Sequence, residues 1–402
     1  MDDMIKDDGE HTGLFEPLMI AQGSPRRIPL NELALSLAEK SAALRSALPP
    51  SIASSLSDLV RSMNCYYSNL IEGHNTHPID IERALAGDYS QNAKKRNLQL
   101  EAKAHIAVQK WIDEGGMTLP ATSPEMLLEM HRRFCELLPD DQLFVENPKT
   151  SERLANVPGQ LRTRYVEVGR RVPISPGSVP RLLACLHAAF QGTDRVTAIL
   201  AAACAHHRLL WIHPFLDGNG RVARLMSYAM LRSTLDTRGL WSVARGLARA
   251  EQAYKSHLQA CDGSRRSDLD GRGNLSEAAL AAFTEFFLQT CMDQVDFMAA
   301  LMAPDRLHDH VMLWTREQIS AGILPVRSDV IMAALLYRGE LTRREANEAL
   351  GMSERASRRI TSALLQANVI KSNSPRAPLH LALSARYAER WMPGLFPAAP
   401  MA

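Results

Sequence analysis

Residues Trp211–Leu225, WIHPFLDGNGRVARL, place a polar, glycine-bearing cluster between two apolar runs, VTAILAAACAHHRLL before it and RVARLMSYAMLRSTL after it. Both runs are helical in pattern, so the cluster is a tight loop joining two helices. Helical periodicity recurs in NLQLEAKAHIAVQKWIDEG and SPEMLLEMHRRFCELL, and Pro and Gly are sparse through the middle of the chain. The main domain is therefore expected to be almost all helix. GQLRTRYVEVGRRVPISP, Gly159–Pro176, departs from that pattern: it alternates and carries β-branched residues on both sides of Gly169, which predicts a short β-hairpin.

A chain of 402 residues exceeds one ordinary core and suggests two or three units. Its formal charge of +2 is a small difference between many charges of both signs, so any nucleic-acid or membrane affinity would have to be local. The six cysteines are scattered without a C-x-x-C pair, against a disulfide framework and against a zinc site. The acidic start MDDMIKDDGEHTG lacks the order of a signal peptide, and no apolar run is long enough to span a bilayer. The expectation is a cytoplasmic protein with no membrane partner.

Each residue type in the central loop suits one part of a single reaction. Gly218 and Gly220 permit backbone in which successive N–H groups point the same way, and the helix beginning near Arg221 adds its positive end, which makes an anion cradle. Arg221 and Arg224, three apart on the first turn, can grip phosphate oxygens by paired hydrogen bonds. Asp217 offers a hard oxygen ligand for Mg²⁺ bound to phosphates. His213, ending the preceding helix, can take a proton near neutral pH. Together these are the parts of a phosphoryl- or nucleotidyl-transfer site.

The loop resembles the Fic family signature H-x-F-x-[DE]-G-N-G-R-x-x-R, complete here as His213, Phe215, Asp217, Gly218, Asn219, Gly220, Arg221 and Arg224. The resemblance implies an all-helical Fic fold that transfers AMP from ATP to a Ser, Thr or Tyr hydroxyl of a protein, releasing pyrophosphate. It implies His213 as the base, Asp217 as the Mg²⁺ ligand, and Gly218, Asn219 and Gly220 as the anion hole. Arg221 and Arg224 would hold the β- and γ-phosphates, and Phe215 would anchor the loop. The segment holding Tyr165, Val166, Glu167 and Val168 looks like the family's flap, which aligns a target by strand addition. His206 or His207 would be structural, and Tyr254 is a candidate for the adenine pocket. SNLIEG fits the family's inhibitory pattern [ST]-x-x-x-E-[GN] at Ser68, Glu72 and Gly73, with Glu72 expected to pair with Arg224.

From about Pro325 the pattern becomes helix, short turn, helix and a β wing, which reads as a winged helix-turn-helix with N-caps at the second and third helices and Gly351 ending the second. Arg355, Arg358 and Arg359 on its third helix, with Arg343, Arg344, Lys371 and Arg376 nearby, are the candidates for DNA contact; protein docking is the alternative. The expected division is an N-terminal helical region, 1–100, a Fic domain, 101–303, and a winged helix-turn-helix, 304–402. The segment around APDRLHDH reads as a connection. A target protein or the chain itself is the implied acceptor, and dimerisation is compatible with the sequence. The competing function is a DNA-binding regulator whose Fic-like domain senses a nucleotide.

Overall fold

The structure is a computed structural model describing residues 5–147, 150–169 and 171–396. Met1–Met4 of the acidic start and Arg170 of the expected hairpin lie outside the described residues. No helix among the described residues is long and apolar enough to cross a membrane. The chain divides into two compact units, one of residues 1–41, 64–237 and 242–294, the other of 42–63, 238–241 and 295–402.

Helices α1 (Arg27–Ser46), α2 (Pro50–Ile71), α3 (Pro78–Leu85), α4 (Ala93–Asp113) and α5 (Pro124–Cys135) lead to a two-stranded hairpin, β1 (Phe144–Glu146) and β2 (Arg153–Ala155). Then follow α6 (Val179–Ala189), α7 (Arg195–Ile212), α8 (Asn219–Leu235), α9 (Ala244–Arg249), α10 (Glu251–Cys261) and α11 (Glu277–Leu301). The first unit is built around α7 and α8. Leu200, Leu209, Ile212, Ala223 and Met226 are wholly or almost wholly buried, as are Phe283 and Phe287 of α11. Burying each such large apolar side chain contributes about 1.5–3 kcal/mol, which fixes the two helices that flank the polar loop. Asp194 starts α7 by accepting a hydrogen bond from the Thr197 amide at 3.0 Å, and Asp236 follows α8 in the left-handed conformation.

Two sequence expectations need correction here. The segment Gly159–Pro176 is extended, but its pairing among the described residues shrinks to one antiparallel bridge between Val168 and Arg171, without a ladder. The hairpin of the unit is instead β1–β2, in register Phe144 to Ala155 and Glu146 to Arg153. Nor is APDRLHDH a connection: Pro304 sits at the start of α12 (Pro304–Ser320), where its missing N–H is no loss and its fixed φ suits the first turn.

The second unit continues with α13 (Ser328–Arg338), β3 (Glu340–Leu341), α14 (Arg343–Leu350), α15 (Glu354–Gln366), β4 (Ile370–Lys371), β5 (Leu379–Leu381) and α16 (Ala385–Trp391). Its three short strands form an antiparallel sheet in the order β3-β5-β4. Thr342 and Glu345 make a reciprocal capping box at α14, Ser353 caps α15, and Gly351 ends α14 at φ 58°. Trp314, Tyr387 and Trp391 form an aromatic cluster with centroids 4.8–5.4 Å apart.

Candidate functional site

The loop 213–218 leaves α7 through an unusual backbone. His213 caps that helix in the left-handed region, at φ 52°, a conformation that costs a non-glycine residue on the order of 1–3 kcal/mol and persists only where neighbours enforce it. Arg162 does so: its Nε donates to the His213 carbonyl at 2.7 Å, its amide to the Pro214 carbonyl at 2.9 Å, and its Nη2 to the Ile174 carbonyl at 2.6 Å. Asn219 staples the other side, accepting from the Phe215 amide and donating to the Phe215 carbonyl, both at 2.9 Å. Phe215 is fully buried, and its ring stacks on His131 with centroids 4.0 Å apart. His131 is held in turn by the Gly159 amide, which donates to its Nδ1 at 3.0 Å.

Gly218, at φ 82°, then starts α8. Among the described residues the amides of Asn219, Gly220 and Arg221 have no backbone acceptor, as the first turn of a helix requires, so the positive end of α8 faces the loop with donors to spare. Asp217 beside them is more than half exposed, with Oδ2 3.9 Å from Arg221 Nη1.

Both arginines of the loop are buried and held by carboxylates from distant segments. Arg221 forms an ion pair with Glu101 of α4 at 2.8 Å and lies 5.0 Å over the ring of Phe134. The second oxygen of Glu101 meets His74 Nδ1 at 2.7 Å, and that contact holds the imidazole above its ordinary pKa. Arg224 donates from Nε to the Ser68 hydroxyl at 2.8 Å and from Nη2 to the Ser68 carbonyl at 3.1 Å, and it is paired with the Glu72 carboxylate. Burial pushes the Glu72 carboxyl up, but Arg224 and then Arg221 pull harder the other way, leaving it below its ordinary value and charged at neutral pH. Glu72 follows the last turn of α2, where Gly73 turns the chain at φ 83°. A Cβ added to Gly220 would collide with Glu72 Oε1, which places that carboxylate directly over the first turn of α8.

His213 Nδ1 is buried without a hydrogen-bond partner among the described residues. Burial, then the nearby Arg162 and Arg171 charges, lower its pKa to about 4, so the ring is neutral and able to accept a proton at pH 7. A cleft of about 480 Å³ opens beside it, lined by Val145, Glu146 and Leu154 of the β1–β2 hairpin and by Tyr165, Val166, Glu167 and Val172. Val168 lies at the bridge that closes this segment.

The first unit thus brings together all the loop residues named from sequence, with Ser68 and Glu72 against Arg224, Gly73 turning the chain just after Glu72, and Tyr165, Val166 and Glu167 beside His213. Tyr254 is buried, with its hydroxyl 2.7 Å from His206 Nε2 and close enough to Arg224 to interact with its guanidinium, while His206 Nδ1 meets the Ser227 hydroxyl at 2.8 Å. His207 lies 3.2 Å from Asp262. Sequence reasoning missed Arg162, Glu101, His74 and His131. Arg162 lies in the extended stretch GQLRTR, and Glu101 and His131 in helical stretches whose periodicity does not single them out.

A family model described as Fic/DOC family matches residues 121–231, which span the 165–168 segment and the whole loop. Residues 121–231 form a Fic-family domain. The curated protein adenylyltransferase fic-1 of Caenorhabditis elegans is 37% identical over 110 residues, 27% of this chain and 19% of that protein. The protein adenylyltransferase Fic of Nematostella vectensis is 28% identical over 172 residues, covering 41% and 36% respectively. The chain therefore matches about a fifth to a third of these relatives' lengths. A crystal structure of a Fic family protein from Desulfovibrio desulfuricans G20 aligns over 91% of this chain and 99% of that one, with a TM-score of 0.52 at 18% identity, a likeness of fold. The Fic segment matched here thus holds the His213 loop, whereas Glu72 and Glu101 lie upstream of it.

In the second unit Arg355, Arg358 and Arg359 are exposed on α15. Arg358 pairs with Glu354 at 2.5 Å, Arg344 with Glu348 at 3.4 Å, and Lys371 with Asp58 at 3.1 Å. A groove of about 590 Å³ runs beside α15, with Arg343, Arg358, Thr361 and Ser374 among its lining.

Proposed function

We propose that the chain is a protein adenylyltransferase, transferring AMP from ATP to a hydroxyl of a protein, and that Glu72 holds it inactive in cis. The observation that carries this reading is the position of the Glu72 carboxylate: it is paired with Arg224 and seated over Gly220, on the very donors that a phosphate would use. The helix end with unsatisfied amides, the two buried arginines and the neutral imidazole supply what the reaction needs from the protein.

In this reading the target hydroxyl approaches His213 from the cleft beside Tyr165–Val168. Its oxygen attacks the α-phosphorus, the bond from that phosphorus to the bridging oxygen of the β-phosphate breaks, and the hydroxyl proton passes to His213 Nε2. Pyrophosphate leaves with its charge held by the α8 amides and the two guanidinium groups. Asp217, the carboxylate of the loop, stands more than half exposed beside those amides, which fits an ion bound chiefly through phosphate and water. Asp217 would be the protein ligand of Mg²⁺, which supplies charge neutralisation between the phosphates. Asn219 acts in the anion hole through its backbone, because its side chain is committed to Phe215.

The helices α13–α15 with the β3-β5-β4 sheet follow the order of a winged helix, and that unit is proposed to bind DNA through Arg355, Arg358 and Arg359. The deciding experiment incubates wild type, Glu72→Gly and Glu72→Gly with His213→Ala with labelled ATP, Mg²⁺ and a cell lysate. Label should appear strongly with Glu72→Gly and fall by about a hundred- to ten-thousand-fold when the base is removed. If Glu72→Gly binds ATP but labels nothing, the catalytic reading fails in favour of a nucleotide-sensing regulator.

A further inference from the structure

The segment preceding α6 carries a second built site. Ser175 and Ser178 are fully buried, yet their hydroxyls are not used to cap α6. They face the carboxylates of residues 7–10 instead. The Ser175 amide donates to Glu10 Oε1 at 2.7 Å and its hydroxyl to Glu10 Oε2 at 2.5 Å. Ser178 Oγ lies 2.7 Å from Asp7 Oδ1 and 2.5 Å from Glu10 Oε2. Arg181 grips both oxygens of Asp7, each at 3.1 Å, and donates to the Glu10 carbonyl at 2.9 Å. The Gly177 amide donates to the Lys6 carbonyl at 2.8 Å, and a Cβ at Gly177 would stand 2.6 Å from that of Asp7, so the close approach needs glycine.

The same short segment also reaches the flap. Tyr165 donates its hydroxyl to Asp8, and Lys6 Nζ lies 5.3 Å from the centre of the Tyr165 ring. This matters because the described residues of the flap have one bridge and no ladder, so its arms lack the backbone pairing that would order a true hairpin. Contacts from residues 6–10 fall on both arms, at Tyr165 and at Ser175, and continue to Ser178 and Arg181 at the start of α6. They also suit a charged occupant: burial pushes the Glu10 carboxyl up, but the hydrogen bonds from Ser175 and Ser178 outweigh it and hold the group at about 2.

We propose that Ser175, Gly177, Ser178 and Arg181 form a binding site for an acidic polypeptide segment with carboxylates three residues apart, that Asp7 and Glu10 of this chain occupy it, and that this occupancy orders the flap. The ordering is preorganisation: a target segment adding to an already fixed flap loses less entropy on binding.

Two full-length variants test this without touching the loop at His213. Asp7→Asn with Glu10→Gln removes the charges, and Gly177→Val fills the space the segment needs. Amide hydrogen exchange across 163–169 should quicken by about tenfold or more in both, with exchange in α7 and α8 unchanged. A labelled synthetic peptide of residues 5–16 should bind the Asp7→Asn, Glu10→Gln protein, whereas the peptide carrying those same two changes should bind at least about tenfold more weakly, and Gly177→Val should abolish binding. Unchanged exchange in both variants, or equal binding of the two peptides, overturns the proposal. Both readouts are free of catalysis, so they stand apart from the adenylyltransferase reading.

Discussion

Two arginine pairs with the same spacing meet opposite fates in this molecule. Arg221 and Arg224 keep 8% and 4% of their side chains exposed, and each is held by a carboxylate from a segment far off in sequence. Arg355 and Arg358, also three apart on a helix, stand in solvent, and Arg358, 76% exposed, meets the glutamate one turn before it. Spacing alone places two guanidinium groups on neighbouring helix faces; burial and partner decide what they are worth. A buried charge that loses its partner is left uncompensated, whereas a solvated one is rehydrated and screened.

The sharpest way to break this contrast is to remove one carboxylate from each pair. Glu101→Ala strands Arg221 and should destabilise the protein by about 3–5 kcal/mol, while Glu354→Ala at the surface should stay within about 0.5 kcal/mol. Chemical denaturation of both variants measures this, and similar losses would dissolve the distinction. Next in size is the Glu72–Arg224 pair, proposed to inhibit: Glu72→Gly should raise transfer by about tenfold or more, equivalent to about 1.4 kcal/mol, and adding Arg224→Ala should cancel most of the gain. Rates for the four forms of that cycle are the measurement. Equal rates for wild type and Glu72→Gly would remove Glu72 from the mechanism.

A smaller effect follows from pH. His74 is raised by its contact with Glu101, so the contact stabilises the fold fully below the unfolded histidine value of about 6.5 and is lost as pH rises through the higher folded value. The difference in melting temperature between wild type and His74→Gln should therefore be present at acidic pH and vanish at alkaline pH. The smallest effect belongs to the exposed arginines. Arg358→Ala with Arg359→Ala should leave melting almost unchanged, yet weaken binding to duplex DNA at low salt and flatten its salt dependence. No DNA binding by wild type at low salt would make the unit a protein-docking module.

What the sequence disclosed follows the distance over which each piece of information acts. The loop was legible because its helix flanks, its glycines and its arginines are contiguous, and the caps at Thr342, Ser353 and Gly351 are equally local. Glu72 was legible through a short pattern at a distance. Glu101 was not: it sits on a mostly basic helix, and nothing local marks its carboxylate as the partner of Arg221. The extended character of Gly159–Pro176 could be read, but strand pairing is a long-range property, and among the described residues the segment finds its partner between Val168 and Arg171. β1 and β2, three residues each and alternating only between exposed and half-buried, carry too little periodicity to announce themselves. Pro304 reads as punctuation yet begins a helix, since the residue serves both ends equally well on paper.

The missing side chain at Gly220 has a further consequence. The volume above it is taken by the Glu72 carboxylate, and in the proposed reading a phosphate would need that same volume. In the proposed reading Glu72 would therefore behave as a tethered competitor whose local concentration is fixed by α2 and cannot be diluted. Any anion using that volume has its apparent affinity scaled down by the fraction of molecules in which Glu72 has swung away. Such a molecule would gauge how much of that anion surrounds it: occupancy would stay low until the free concentration outweighs the tether, and a partner that merely draws Glu72 aside would recalibrate the gauge without touching the anion at all.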